Sequence, residues 1–436
     1  MSDEAYLQDE TIFALSSAPG RAGVSVLRLS GPSAGRALRD LTGRALPPAR
    51  MASLRYIYNV SGEVIDQPLL LWFPAPKSFT GEDCAEIHVH GSVAILESVV
   101  RRLSEIGLRQ ARPGEFTRRA VEQGKMDLTE AEGLADLIDA RTEGQRVQAL
   151  SNMGGALRET YESWQSLILD GLAQIEGEID FADEEDVPDA LSHAAYPFLT
   201  KVMEEMQAAL AGADRGRAVR EGLQVAIIGV PNAGKSTLLN ALIGRDVAIT
   251  SPQAGTTRDI VEAQAVIAGL PVTFSDTAGL RDSEDAIEAE GVRRARARAE
   301  DAHLVVHVVR GEDAGALPSD LQFLNVEQDR AEQVGSVVTG NALSGHGVDL
   351  LWAEIERQIL EKYAGLENAA LTRVRHVECI SAAAENVDIA RAKLGFEPEL
   401  ASENLRKTLK YIEELAGRSD MEQVFDRIFS SFCIGK

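Results

Sequence analysis

The nine residues Gly229-Val-Pro-Asn-Ala-Gly-Lys235-Ser236-Thr237 constrain this chain more than any others, because they fit the phosphate-loop pattern GxxxxGK[S/T]. An apolar, β-branched run (Val225, Ala226, Ile227, Ile228) precedes them and a leucine-rich helical pattern (Leu238, Leu239, Ala241, Leu242) follows. The order is strand, loop, helix. Glycines let successive backbone N–H groups turn toward an anion, and the start of the helix adds its dipole. Asn232, Ala233, Gly234, Lys235, Ser236 and Thr237 are therefore the expected phosphate contacts, with Lys235 reaching the β- and γ-phosphates and Ser236 ligating magnesium.

Two downstream segments follow in the order a nucleotide triphosphatase needs. Gly255-Thr256-Thr257-Arg258-Asp259 falls about twenty residues past Lys235, where a first switch belongs, and Thr257 there can complete the magnesium shell. Asp276-Thr277-Ala278-Gly279 supplies the DxxG pattern, its aspartate behind the metal and its glycine N–H toward the γ-phosphate. Residue 280 is Leu, so no glutamine stands there to orient water. Arg258 or Arg281 could act as an arginine finger, but their neighbours suit an ordinary surface role as well. Asn232 fits equally as a ligand for a monovalent cation or as a turn residue. No NKxD tetrapeptide occurs between residues 300 and 350; Asn325-Val-Glu-Gln-Asp329 is the nearest match, with the wrong spacing. Asn341-Ala-Leu-Ser-Gly-His-Gly347 resembles an SAxxGxG motif with Asn in the place of Ser. Base specificity is the least determined property of the site.

The chain has 436 residues, 44% hydrophobic and 26% charged, enough for about three domains of ordinary globular composition. No apolar run reaches the ~18 residues that span a bilayer, and the acidic start MSDEAYLQDE lacks the basic region of a signal peptide. A cytoplasmic location without membrane contact is expected. Cys84, Cys379 and Cys433 lack metal-ligand spacing and read as reduced thiols. A net charge of −24 argues against indiscriminate binding to a phosphate backbone, so any RNA contact is local or shared with a partner. Strand-like runs with one amphipathic helix fill residues 1–124; helical patterns fill 125–221 and 366–436; strand and helix alternate across 222–365. This predicts an α/β plus all-α protein. An N-terminal α/β domain comes first, and a P-loop domain of Ras-like type with a mostly parallel sheet is inserted into a discontinuous helical domain. The acidic stretch 180–190 reads as a solvated loop.

The flanks carry a further signal. TIFALSSAPGRAGVSVLRLSGP from Thr11, SFTGEDCAEIHVHG from Ser78, ARPGEFTRRAVEQGKMDLTEAEGLADLIDA from Ala111 and the terminal FSSFCIGK closely resemble the tRNA-modification GTPase family MnmE, also called TrmE. The resemblance runs from about residue 10 to 436. It implies a homodimeric, potassium-dependent GTPase that binds GTP and Mg2+ and works with the FAD-dependent flavoprotein MnmG. Together they would place an aminomethyl or carboxymethylaminomethyl group at C5 of the wobble uridine of certain tRNAs. The N-terminal domain would bind folate, as 5-formyl- or methylene-tetrahydrofolate, through Arg28, Glu86, Lys125 and Lys436. The potassium ligands would be Asn232 with Ser251, Gln253 and Thr256, beside Gly255 in the same loop. Glu288, twelve residues past Asp276, matches the catalytic glutamate, which joins Asn232 and Lys235 in the hydrolytic set. The arginines at 293, 294, 296 and 298 suit solvated surface or G-domain contact before tRNA. Cys433 falls in the tail tied to the folate pocket, although a small thiol there is more often inert. His88 and His90 share a strand face and suit hydrogen-bonded structural roles better than metal ligation. Two other readings stand beside this one: a nucleotide-gated assembly GTPase, and a folate-binding scaffold with weakened guanine specificity.

Overall fold

In the first of two compact units, alternation of side chains along two long strands sets the architecture. A computed structural model describes residues 10–180, 191–230, 232–243, 262–276, 302–310, 319–363, 371–418, 422–430, 432 and 434–435. The chain forms one unit from Met1–Ala135 with Ile412–Lys436 and a second from Asp136–Tyr411.

The first unit holds strands β1 (Ile12–Leu15), β2 (Ala22–Ser30), β3 (Ser53–Leu54), β4 (Ile57–Tyr58), β5 (Val64–Asp66), β6 (Leu69–Phe73), β7 (Cys84–Gly91) and β8 (Arg109–Gln110). Six of them make one sheet in the order β3-β6-β7-β2-β1-β8, and β4 pairs with β5. Ser25, Leu27 and Leu29 on β2 and Ala85, Ile87 and Val89 on β7 are buried, while Arg28, Glu86 and His88 take the opposite face. The helices Ala34–Thr42 and Val93–Ile106 cover the apolar face with Ala37, Leu38, Leu41, Val99 and Leu103. Antiparallel register places Arg28 directly opposite Glu86. The expected α/β character of this segment holds.

The C-terminal tail returns to this unit. Ile434 bridges to Pro113, and the Ser16 hydroxyl donates to the Gly435 carbonyl at 2.9 Å. Gly435 has φ +98°, and a Cβ there would lie 2.2 Å from the Leu15 carbonyl oxygen, so only glycine fits. Nearby, the PGEFTRRA segment builds an ion network. Arg119, 5% exposed, donates to Glu82 and Glu115 at 3.1 Å each, and Arg109 donates to Glu115 at 2.6 Å. Burial pushes the Glu115 carboxyl up, but the Arg109 guanidinium and the Arg112 N–H outweigh it and hold the group below the ordinary carboxylate value.

The second unit carries a seven-stranded sheet of β9 (Leu223–Ile228), β10 (Glu262–Ile267), β11 (Leu270–Asp276), β12 (Leu304–Val309), β13 (Leu321–Asn325), β14 (Glu332–Val334) and β15 (Val337–Gly340). The order is β10-β11-β9-β12-β13-β15-β14. The four inner pairings are parallel and the two edge pairings antiparallel, as expected for a mostly parallel P-loop sheet. Val225, Ile227, Val306, Val308 and Phe323 are fully buried, giving the near-continuous apolar runs that strands covered on both faces require. The helices Lys235–Ile243 and Val348–Tyr363 pack Leu238, Leu242, Leu351 and Ile355 into the same core.

Long helices precede and follow the sheet: Glu143–Met153, Ala156–Asp180 and Tyr196–Glu221 before it, Val374–Lys393 and Pro398–Ala416 after it. Val374–Lys393 packs along Tyr196–Glu221. Asp136 ties the two flanks together, accepting from Arg220 at 3.0 Å and from Arg373 at 2.7 Å. The helix starting at Glu143 opens with a capping box, Thr142 with Gln145, and Gln145 also donates to the Arg220 carbonyl at 3.0 Å.

Removing one member of a buried ion network leaves its partners desolvated and unpaired. Arg119→Met is expected to lower stability by about 3 kcal/mol in denaturant unfolding. Because the folded Glu115 titrates below its unfolded value, its contribution is present at neutral pH and is lost as pH falls below 4.5. The gap between wild type and Arg119→Met is therefore expected to narrow in acid.

Candidate functional site

The phosphate loop leaves β9 at Ile228 and enters the helix Lys235–Ile243, at the carboxyl edge of the parallel sheet where such folds bind ligands. Two of its glycines are dictated by packing. Gly229 has φ +150°, with a Cβ position 2.4 Å from the Val308 carbonyl oxygen; Gly234 has φ +99°, with a Cβ position 2.2 Å from the Asn325 side-chain nitrogen. Asn232 adopts φ +63°, a left-handed conformation that asparagine tolerates better than most residues. Its fitness as a turn residue is thereby explained, and its side chain is exposed.

Lys235 is 5% exposed, and its ammonium donates to the Gly229 and Val230 carbonyls at 3.0 and 2.9 Å. The cation is thus folded over the loop whose N–H groups begin the helix. Ser236 is exposed and Thr237 half-buried on the first turn. Asp276, the first residue of the DxxG pattern, ends β11 opposite Ile227 in parallel register, beside the end of β9. Thr277, Ala278, Gly279, Ser251, Gln253, Gly255, Thr256, Thr257 and Glu288 lie outside the described residues, as do Pro231, the arginines at 258, 281, 293, 294, 296 and 298, the acidic stretch 181–190, Cys433 and Lys436.

Asn325 was the feature hardest to value from sequence. At the end of β13, its side-chain N–H donates to the Ala233 carbonyl at 2.8 Å, and its side-chain oxygen accepts from the Ala342 N–H at 3.1 Å. One amide therefore joins the phosphate loop to the turn that follows β15. The sequence signal was an asparagine closing an apolar strand pattern; the contact itself is between residues 92 positions apart.

The first unit has a cavity of about 260 Å³. Arg28 and Glu86, both expected site residues, line it and pair at 3.1 Å. Arg50, Lys77, Phe73 and Phe79 also line it and were missed by the sequence reading. The Arg28 guanidinium lies 5.1 Å from the Phe79 ring centre and that of Arg50 lies 5.7 Å from the Phe73 ring centre. Three cations against one carboxylate make the cavity electropositive, while its aromatic walls suit a flat ring. Lys125 is exposed and packs beside Gly81, outside the residues that line the cavity. His88 pairs with Glu86 at 3.1 Å and His90 with Asp66 at 2.8 Å, the hydrogen-bonded roles expected of them.

The chain matches the family described as "GTP-binding protein TrmE N-terminus" over residues 11–125 and that described as "MnmE helical domain" over residues 128–433. It is 49% identical to the tRNA modification GTPase MnmE of Maricaulis maris, over 98% of this chain and 99% of that one. To the protein of the same name from Parvibaculum lavamentivorans it is 48% identical, over 98% of this chain and 100% of the other. With its phosphate loop, helical flanks and N-terminal sheet matched over nearly their whole length, the chain belongs to the MnmE family of tRNA-modification GTPases.

Proposed function

We propose that this GTPase acts as a homodimer whose potassium-dependent hydrolysis of GTP gates modification of the wobble uridine of certain tRNAs, together with the FAD-dependent flavoprotein MnmG. The observation that carries the reading is the phosphate loop. Its two side-chain-excluding glycines and buried Lys235 stand at the head of a helix, beside the aspartate that ends β11. Lys235 holds two neutral carbonyls. A phosphate oxygen is a stronger, charged acceptor in the same reach, so nucleotide entry draws the ammonium off the loop without leaving it unpaired. Ser236 and Thr257 would hold Mg2+. Asn232, with Ser251, Gln253 and Thr256, would hold K+, which supplies positive charge where negative charge develops between the β- and γ-phosphates. Glu288 orients the attacking water, and the Gly279 N–H senses the γ-phosphate.

The electropositive cavity supports the folate half of the reading. Arg28, Arg50 and Lys77 suit the glutamate tail of 5-formyl- or methylene-tetrahydrofolate, Phe73 or Phe79 suits the pterin face, and Glu86 accepts from pterin N–H groups. Lys125 and the terminal Lys436 complete the set carried over from the family. Since the chain carries a net charge of −24, its contact with tRNA is confined to a local patch or shared with MnmG.

Three outcomes test the proposal. Hydrolysis by the purified chain should be at least about 10-fold faster in K+ than in Na+, and Asn232→Ala should abolish that difference; equal rates in the two salts would reject the cation's role. Lys235→Ala should lower kcat/KM for GTP by roughly 100-fold or more. Glu86→Gln should weaken 5-formyl-tetrahydrofolate about 10-fold in a calorimetric titration while leaving GTP hydrolysis unchanged. Loss of both activities together would count against a separate folate site.

A further inference from the structure

The seven-stranded sheet joins the long helices at two crossings, and one imidazole touches both. The chain enters where the helix Tyr196–Glu221 passes through Gly222 into β9, and it leaves where the helix Val348–Tyr363 ends. His303, the residue before β12, stands at the start of β9, the end of the sheet away from the phosphate loop. Its backbone N–H donates to the Gln224 carbonyl at 2.9 Å, and its Nδ1 accepts from the Gln224 N–H at 3.1 Å. On the exit side its ring meets Tyr363 edge-on, with centres 6.3 Å apart, and its carbonyl accepts from the Lys362 ammonium at 3.3 Å. Lys362 in turn lies 5.6 Å from the centre of the Tyr363 ring. Entry strand and exit helix thus share a residue that belongs to neither.

The bond to Gln224 dictates the protonation state. A backbone N–H only donates, so Nδ1 carries a lone pair and the proton of the neutral ring sits on Nε2. A second proton has only Nδ1 to go to, where it faces the Gln224 N–H as donor against donor. Burial, with the Lys362 and Arg217 cations, opposes that proton more than the Glu221 and Asp214 carboxylates favour it, and the imidazole is held below its ordinary value. The remaining charged group is Asp320, which lines with His303 a cavity of about 60 Å³ walled by Leu223, Val225 and Ile359. Asp320 spends one oxygen on the Val305 N–H at 2.7 Å, and its other oxygen has no hydrogen bond among the described residues. The ring therefore has two places to rest, each suited to one charge state.

We propose that His303 is a proton-operated clasp on the stem of the sheet: neutral, it fastens the entry strand to the exit helix; charged, it releases Gln224 and turns across the cavity to Asp320. The open form binds the extra proton. The closed stem is therefore fully favoured above the ordinary histidine value of 6.5, and it loses ground as pH falls from there through the lowered value. Because the clasp sits at the end of the sheet remote from Lys235, it adjusts how the sheet is held without touching the phosphate chemistry.

Hydrogen exchange of the full chain between roughly pH 5 and 8, corrected for the intrinsic pH dependence of amide exchange, tests this in wild type, His303→Asn and Asp320→Asn. His303→Asn places an amide oxygen where Nδ1 stands, an acceptor that no proton in this range removes. In wild type, protection of the amides at 222–225 should fall at least about 5-fold from the alkaline to the acidic end; in His303→Asn it should stay constant. Asp320→Asn, which removes the charge that receives the imidazolium, should move the transition to lower pH. Acid loosening of equal size in wild type and His303→Asn would overturn the proposal, as would wild-type protection that does not change with pH. If His303→Asn does not fold, the ring-nitrogen chemical shifts of wild-type His303 at the alkaline end decide: a proton on Nε2 supports the clasp, and one on Nδ1 overturns it.

Discussion

The nucleotide site depends on a backbone passing where no side chain can go. Between β9 and its helix, the phosphate loop runs against the Val308 carbonyl on one side and the Asn325 amide on the other, with Cβ positions at Gly229 and Gly234 falling 2.4 and 2.2 Å from those atoms. At that approach Asn325 binds the loop and the turn after β15 at once, and Lys235 lies buried against the Gly229 and Val230 carbonyls. The packed sheet beneath, with Val225, Ile227, Val306 and Val308 fully buried, keeps the strands in the register that sets this spacing.

Electrostatics divides the labour between the units. In this acidic chain Lys235 stands on the phosphate loop, and Arg28, Arg50 and Lys77 gather around the first unit's cavity. Elsewhere cations are spent on structure. Arg109 and Arg119 neutralise Glu82 and Glu115, while Arg220 and Arg373 converge on Asp136 and so hold together the chain on either side of the inserted sheet. The chain entering the sheet and the chain leaving it thus answer to one carboxylate.

Much of this was legible in the sequence because it is local. The phosphate loop announces itself through glycine, lysine and hydroxyl spacing; the strands of the first unit through alternation of apolar and polar residues; the Arg28 and Glu86 pair through two motifs that the sheet register then sets opposite each other. What was not legible comes from long-range contact. Arg50, Phe73 and Lys77 lie outside the quoted motifs, Phe79 lies within one but was given no role, and all four line the cavity beside the paired strands β6 and β7. Asn325 and Asp329 do not match a tetrapeptide by spacing along the chain. In the structure Asn325 bridges the phosphate loop to Ala342, and Asn341 donates to Asp329.

The central claim is that three loops separated in sequence, 229–237, 325–329 and 341–346, form one guanine-nucleotide site joined by Asn325. Hydrogen exchange of the full chain with and without saturating GDP addresses it directly. The account predicts slowed exchange in all three segments together, and loss of protection in the second and third when Asn325 is replaced by alanine. Protection confined to residues 229–243, with 325–329 and 341–346 exchanging as in the free protein, would contradict it.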